Sequence, residues 1–113
     1  MIKGEHISYQ EAARLLAEAG RPFVELWKRG PVSIELYQPR KVDSQKPHDR
    51  DEIYVVVKGE GSFQCGDEMR PFREGDVLFV PAWAPHRFVD FSGDLSVWVI
   101  FVGKKKPRKS PGR

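Results

Sequence analysis

From residue 23 to residue 102 the chain is cut by glycine and proline into short apolar runs, and that punctuation constrains the fold more than any other feature. Runs of this length, rich in Val, Ile, Phe and Tyr and bounded by turn residues, read as strands and not helices. The expected strands are Phe23 to Leu26, Val32 to Gln38, Glu52 to Lys58, Gly61 to Cys65, Glu68 to Arg70, Asp76 to Val80, His86 to Phe91 and Leu95 to Val102. Eight short strands with frequent turns predict an all-β barrel or sandwich. At 113 residues the chain is long enough for one domain, which buries roughly two thirds of its unfolded surface.

Ahead of the strands, Ser8-Tyr9-Gln10-Glu11 has the Ser-x-x-Glu form of a capping box. Ala12, Leu15, Leu16 and Ala19 follow at helical spacing, and Gly20 with Pro22 closes the segment, so a helix is expected over residues 9–19. The domain expectation is a single unit over 1–103, with the helix at about 9–19, the barrel at about 23–102, and a basic disordered tail over 104–113. Lys104, Lys105, Lys106, Arg108, Lys109 and Arg113 give that tail +6, while 13 basic against 16 acidic residues leave the body at −3. A solvated tail is favoured over a nucleic-acid contact, because no base-stacking motif accompanies the charges. No run approaches 18 apolar residues and no charged-then-apolar leader opens the sequence, so no membrane partner is expected and the chain reads as soluble and cytoplasmic. The single Cys65 beside the Gly66-Asp67 turn reads as a strand-end residue, not a nucleophile.

The chemistry concentrates in His48-Asp49-Arg50-Asp51-Glu52 and in Pro85-His86. Two imidazoles and one carboxylate are the donor types of a 2-His-1-carboxylate metal site. Four straight strand steps would separate the Cα atoms of His48 and Glu52 by roughly 13 Å, so the chain must turn between them, and the polar Asp49-Arg50-Asp51 suits a turn. Glu52 then opens a strand on whose face Tyr54 also lies. Beyond Pro81-Ala-Trp-Ala-Pro85, alternation places His86, Phe88 and Asp90 on one face.

These residues resemble the cupin family. Its first motif has the form H-x-H, three or four residues, E, six residues, G, and His48, Glu52 and Gly59 fit the second His, the Glu and the Gly. Its second motif has the form G, five residues, P-x-G, two residues, H, three residues, N, and Gly75, Pro81 and His86 fit it in register. The resemblance covers about residues 33 to 102. Lys46 stands in place of the first His, Trp83 in place of the second-motif Gly, and Asp90 in place of the Asn. A protonated Lys has no lone pair to offer a metal, so neighbouring Gln45 or a water is the candidate for a fourth donor.

The resemblance implies a cupin jelly-roll barrel with a short N-terminal helix, binding one divalent ion through His48, Glu52 and His86. His and carboxylate donors suit Fe, Mn, Ni, Zn and Cu alike. Cupins carry out many reactions, so the fold fixes no single one. The leading expectation is a metal-dependent enzyme, dioxygenase- or isomerase-like, acting on a small molecule, with Tyr54 and Asp90 as candidate acid–base groups. The alternative is a non-catalytic binding or sensing module. A homodimer is expected as in many cupins, from exposed barrel edges.

Overall fold

A computed structural model describes residues 4–108. Helix α1 (Tyr9–Ala19) is capped by Ser8, whose hydroxyl accepts from the Glu11 amide at 3.1 Å, and it ends at Gly20, whose φ of 68° is the left-handed conformation that favours glycine. Eight strands follow: β1 (Phe23–Arg29), β2 (Val32–Tyr37), β3 (Asp51–Lys58), β4 (Gly61–Cys65), β5 (Glu68–Phe72), β6 (Val77–Val80), β7 (His86–Val89) and β8 (Ser96–Val102). They form two antiparallel sheets, ordered β1-β2-β8-β3-β6 and β5-β4-β7. This is the all-β, two-sheet architecture with one short helix that the sequence predicts.

Strand alternation builds the core between the sheets. Tyr54, Val56, Val97, Val99 and Phe101 of the large sheet meet Phe63, Phe72 and Phe88 of the small one. Tyr54 packs edge-on to Phe63 and Phe88, with ring centroids 5.7 and 5.1 Å away, in the arrangement that aromatic quadrupoles favour. The opposite face of β2 presents Leu36 to Ala12 and Leu16 of α1, so the helix seals the outside of β1 and β2. β5 runs through Pro71 to Phe72, two residues past the expected end at Arg70, because an edge strand has amides that need no partner.

β7 is shorter than expected. It stops at Val89, and Asp90 takes a φ of 50° and is exposed, so the predicted shared face of His86, Phe88 and Asp90 ends at Phe88. The reason lies across the sheet: Phe91 Cα passes so close to Gly61 that a Cβ there would lie 2.7 Å from it, which requires the chain to turn at Asp90.

Within the basic segment, Lys106 touches the loops beneath it. The Lys106 amide donates to the Asp49 carbonyl at 2.7 Å, its carbonyl accepts from the Trp83 indole at 2.7 Å, and its ammonium lies 3.0 Å from the Asp51 carboxylate. The loops under it offer one carbonyl, of Asp49, and one indole N–H, of Trp83, and these satisfy backbone that would otherwise be left to water. The remainder of the expected tail, residues 109–113, lies outside the described residues.

Candidate metal centre

Three elements converge at one end of the barrel. The irregular chain after β2 delivers His48, bends at Asp49-Arg50 as the distance argument requires, and enters β3, whose alternation turns Glu52 inward beside Tyr54. His86 opens β7 after the Pro81–Pro85 loop. One donor atom from each of His48, Glu52 and His86 falls within 4.8 Å of the other two. Glu52 Oε1 lies 3.0 Å from His86 Nε2 and 3.7 Å from His48 Nε2.

The proton positions follow from the partners. His86 Nδ1 lies 2.9 Å from the Ala84 carbonyl, an atom that can only accept, so Nδ1 carries a proton. In the neutral ring, Nε2 then turns its lone pair toward Glu52. Both Glu52 oxygens and His86 Nε2 are shut from solvent and make no hydrogen bond among the described residues, despite the short approach of Oε1 to Nε2. A buried carboxylate without a partner is costly, and a lone pair aimed at it adds repulsion. A cation between them removes both problems, so the donor set fits a divalent metal.

The electrostatics of the two imidazoles differ. Burial pushes the His86 pKa down, but Glu52 and the Ala84 carbonyl outweigh it and the net shift is upward. For His48, burial dominates and the shift is downward, with Glu52 opposing. Glu52 therefore favours the protonated form of His86 more strongly than that of His48, whose burial favours the neutral ring.

Gln45 and not Lys46 faces this centre; Lys46 is exposed. The Gln45 Oε1 atom accepts from the Tyr54 hydroxyl at 2.9 Å and lies 3.4 Å from His48 Nε2. Tyr54 is fully buried, and burial with Glu52 nearby raises its pKa well above the usual tyrosine value, so it stays neutral with its proton directed to Gln45. Asp43, only 3% exposed, lies behind. Its carboxylate accepts from the Gln45 side chain at 2.8 Å, the Phe88 amide at 2.8 Å, the Tyr37 hydroxyl at 2.5 Å and the Gln45 amide at 3.3 Å.

The two ligand loops are tied together. The Trp83 amide donates to the His48 carbonyl at 2.7 Å, and the Ala82 amide to the Asp51 carboxylate at 2.8 Å. Trp83 holds a φ of 69°, a conformation that ordinarily selects glycine, the residue at this place in the family motif.

A cavity of about 460 Å³ opens beside His48, walled by Phe23, Glu35, Tyr37, Arg50 and Phe101 among others. Arg50 lies over the Phe101 ring, 4.8 Å from its centroid. Burial, then Glu25 and Glu52, raise the Glu35 pKa, with Arg50 and Arg21 opposing. Sequence reasoning missed Asp43 and Glu35. For Glu35 a signal existed, a carboxylate in the middle of the apolar Val32–Tyr37 strand; for Asp43, in a polar loop, there was none. Cys65 ends β4 as expected, and burial pushes its thiol pKa up, which disfavours the thiolate.

Comparison with known proteins shows the family to which this fold belongs. The cupin-domain family profile matches residues 33–102. An uncharacterized protein of Streptomyces coelicolor is 37% identical over 81 residues, covering 70% of this chain and 77% of its own. Acireductone dioxygenase 4 of rice is 27% identical over 106 residues, which is 86% of this chain, and the chain spans 57% of that relative's length. Among solved structures, a cupin 2 conserved barrel domain protein from Salinispora arenicola superposes with a TM-score of 0.61 at 19% identity, over 72% of this chain and 74% of that one. With a family profile running over residues 33–102, from β2 through β8, the chain belongs to the cupin family.

Proposed function

We propose that the protein binds one divalent metal ion through His48, Glu52 and His86, with Gln45 as candidate fourth donor, and acts as a metal-dependent enzyme on a small oxygen-bearing molecule. The observation that carries this reading is the buried Glu52 carboxylate, unpartnered among the described residues and faced by His86 Nε2. A bound ion with three protein donors keeps positions where a substrate oxygen binds and is polarised. The adjoining cavity of about 460 Å³ is in the range of small-molecule sites. Its mixed wall, with Phe23 and Phe101 beside Glu35 and Arg50, supports a ligand having both apolar and polar parts. The name of the rice relative supports an oxygenase reaction, while an isomerase reaction needs the same open positions.

A second reading is a binding or sensing module. It is favoured by the scarcity of proton carriers: the Tyr54 hydroxyl is engaged by Gln45, and Asp90 turns to solvent. Glu35 is the carboxyl that supports turnover instead. Among the described residues no helix is long and apolar enough to cross a membrane. A cytoplasmic location, a single domain over 1–103, and a homodimer belong to the proposal; exposed Val77 and Phe79 on edge strand β6 support self-association, and the mass in solution tests it.

Elemental analysis of untagged protein purified without chelator tests the metal and identifies it among Fe, Mn, Ni, Zn and Cu. Near-stoichiometric metal in the wild type and little in Glu52→Gln is the expected result, and equal content in both overturns the reading. With metal established, product formation from small oxyacids or sugars, with and without O₂, supports the enzyme, and saturable binding without product supports the sensor.

A further inference from the structure

Resting on the metal reading, we propose that the segment 104–108 is a strap that positions the two metal-ligand loops from outside the barrel, with Trp83 as its positioning residue. The chain leaves β8 at Val102, which pairs with Asp51, and turns at Gly103 with a φ of 81°. It then lies across both loops. Lys106 contacts the 48–51 loop through its amide to Asp49 and its ammonium to Asp51, and the 81–86 loop through its carbonyl to the Trp83 indole. Arg108 caps the arrangement, 5.6 Å from the centroid of the Trp83 ring. These contacts lie next to the donors in sequence: Asp49 follows His48, and Trp83 precedes His86 by three residues.

The choice of residue at 83 supports this role. A glycine would make the left-handed turn without strain, and tryptophan there costs conformational energy. The indole contributes what glycine lacks, an N–H for the Lys106 carbonyl and a face for Arg108. Through its own amide, Trp83 holds the His48 carbonyl, so the strap acts on the ligand by way of Trp83. For a bound ion to leave, the His48 and His86 loops must separate, and the strap resists that motion. Outer partners of this kind typically tune metal affinity tenfold to a hundredfold.

The test loads the full chain and three variants with Co²⁺, adds excess chelator, and follows the loss of visible absorbance. Trp83→Phe keeps the ring and loses the N–H, and a chain ending at Gly103 loses the strap; each should release Co²⁺ about ten times faster than wild type or more. Lys106→Ala keeps both backbone bonds and loses one exposed ion pair, so its rate should stay within about twofold of wild type. Metal-free melting temperatures should differ by only a few degrees, because the barrel core lies elsewhere. Wild-type release rates in both Trp83→Phe and the shortened chain overturn the strap and leave the metal reading intact. Failure of the wild type to take up Co²⁺ overturns both. A fall in metal-free melting temperature as large as in the loaded protein also overturns positioning, since it shows a role confined to stability.

Discussion

Asp43 Oδ2 accepts from the Gln45 side-chain amide at 2.8 Å, and because a carboxylate only accepts, this bond determines which end of the amide faces His48 and Tyr54. Oε1 is left to receive the Tyr54 hydroxyl and to lie near His48. A neutral amide is thereby oriented as a donor toward the centre by a buried anion, from a position where the motif alignment offered only Lys46.

Gln45→Ala should therefore lower metal affinity about tenfold, the lower end of what outer or auxiliary partners contribute. Lys46→His, which the motif alone would predict to restore a ligand, should change nothing, because residue 46 is exposed while Gln45 occupies the place beside His48. Titration with a competing chelator measures both. Unchanged affinity in Gln45→Ala would show that water takes the position equally well.

The pH response carries a sign set by His86. Its pKa is raised above 6.5 in the metal-free fold, burial opposing and Glu52 with Ala84 prevailing. Its stabilising contribution is therefore fully present below pH 6.5 and lost as pH rises through the folded-state value. A metal needs the same nitrogen unprotonated, so its binding strengthens over the same window. The gap between metal-loaded and metal-free melting temperatures should widen as pH rises from 6.5, and His86→Gln should abolish the trend. A gap independent of pH in the wild type would mean that Nε2 is not a ligand.

What was legible in the sequence was local. Gly59, Gly75, Pro81 and His86 lie at fixed gaps because turns and strand entries set them, and Gly59 and Gly75 do hold positive φ. The helix was legible because Ser8 and Gly20 cap it with short-range bonds. What was hidden depends on long-range contacts. Asp43 is explained by the Phe88 amide, 45 residues away, and the contact of the basic segment with the barrel by Asp51, 55 residues from Lys106. Asp90 was misplaced because alternation assumes that a strand continues, and the close pass of Phe91 over Gly61 ends it. The one-residue offset from Lys46 to Gln45 arises in an irregular segment, where strand periodicity does not apply.

Gly59→Ala tests the turn after β3. A Cβ there would lie 2.7 Å from Leu95 Cα and 2.8 Å from Ser92 Oγ, at a φ of 97°. Strain and overpacking together should destabilise the fold by roughly 2–4 kcal/mol, measured by urea unfolding. Gly61→Ala meets Phe91 Cα at 2.7 Å without a positive φ, so it reports the steric part separately. A loss below about 1 kcal/mol at Gly59 would show that the 92–95 turn yields easily.

Glu52→Gln separates metal binding from folding most cleanly. The side chain is fully buried and similar in size, so the variant should fold, while the change removes the one carboxylate of the donor set. The native state gains RT ln(1 + [L]/Kd) from a bound ligand, about 2.7 kcal/mol at a hundredfold excess over Kd. Addition of the metal found in the purified protein should thus raise the wild-type melting temperature by several degrees and leave Glu52→Gln nearly unmoved. His48→Ala and His86→Ala should lose the response as well. The barrel survives these changes because Val56, Val97 and Val99 of the large sheet and Phe72 and Phe88 of the small one form an apolar core that no donor side chain has to hold together. An equal thermal response in all four proteins would place any bound metal elsewhere on the surface.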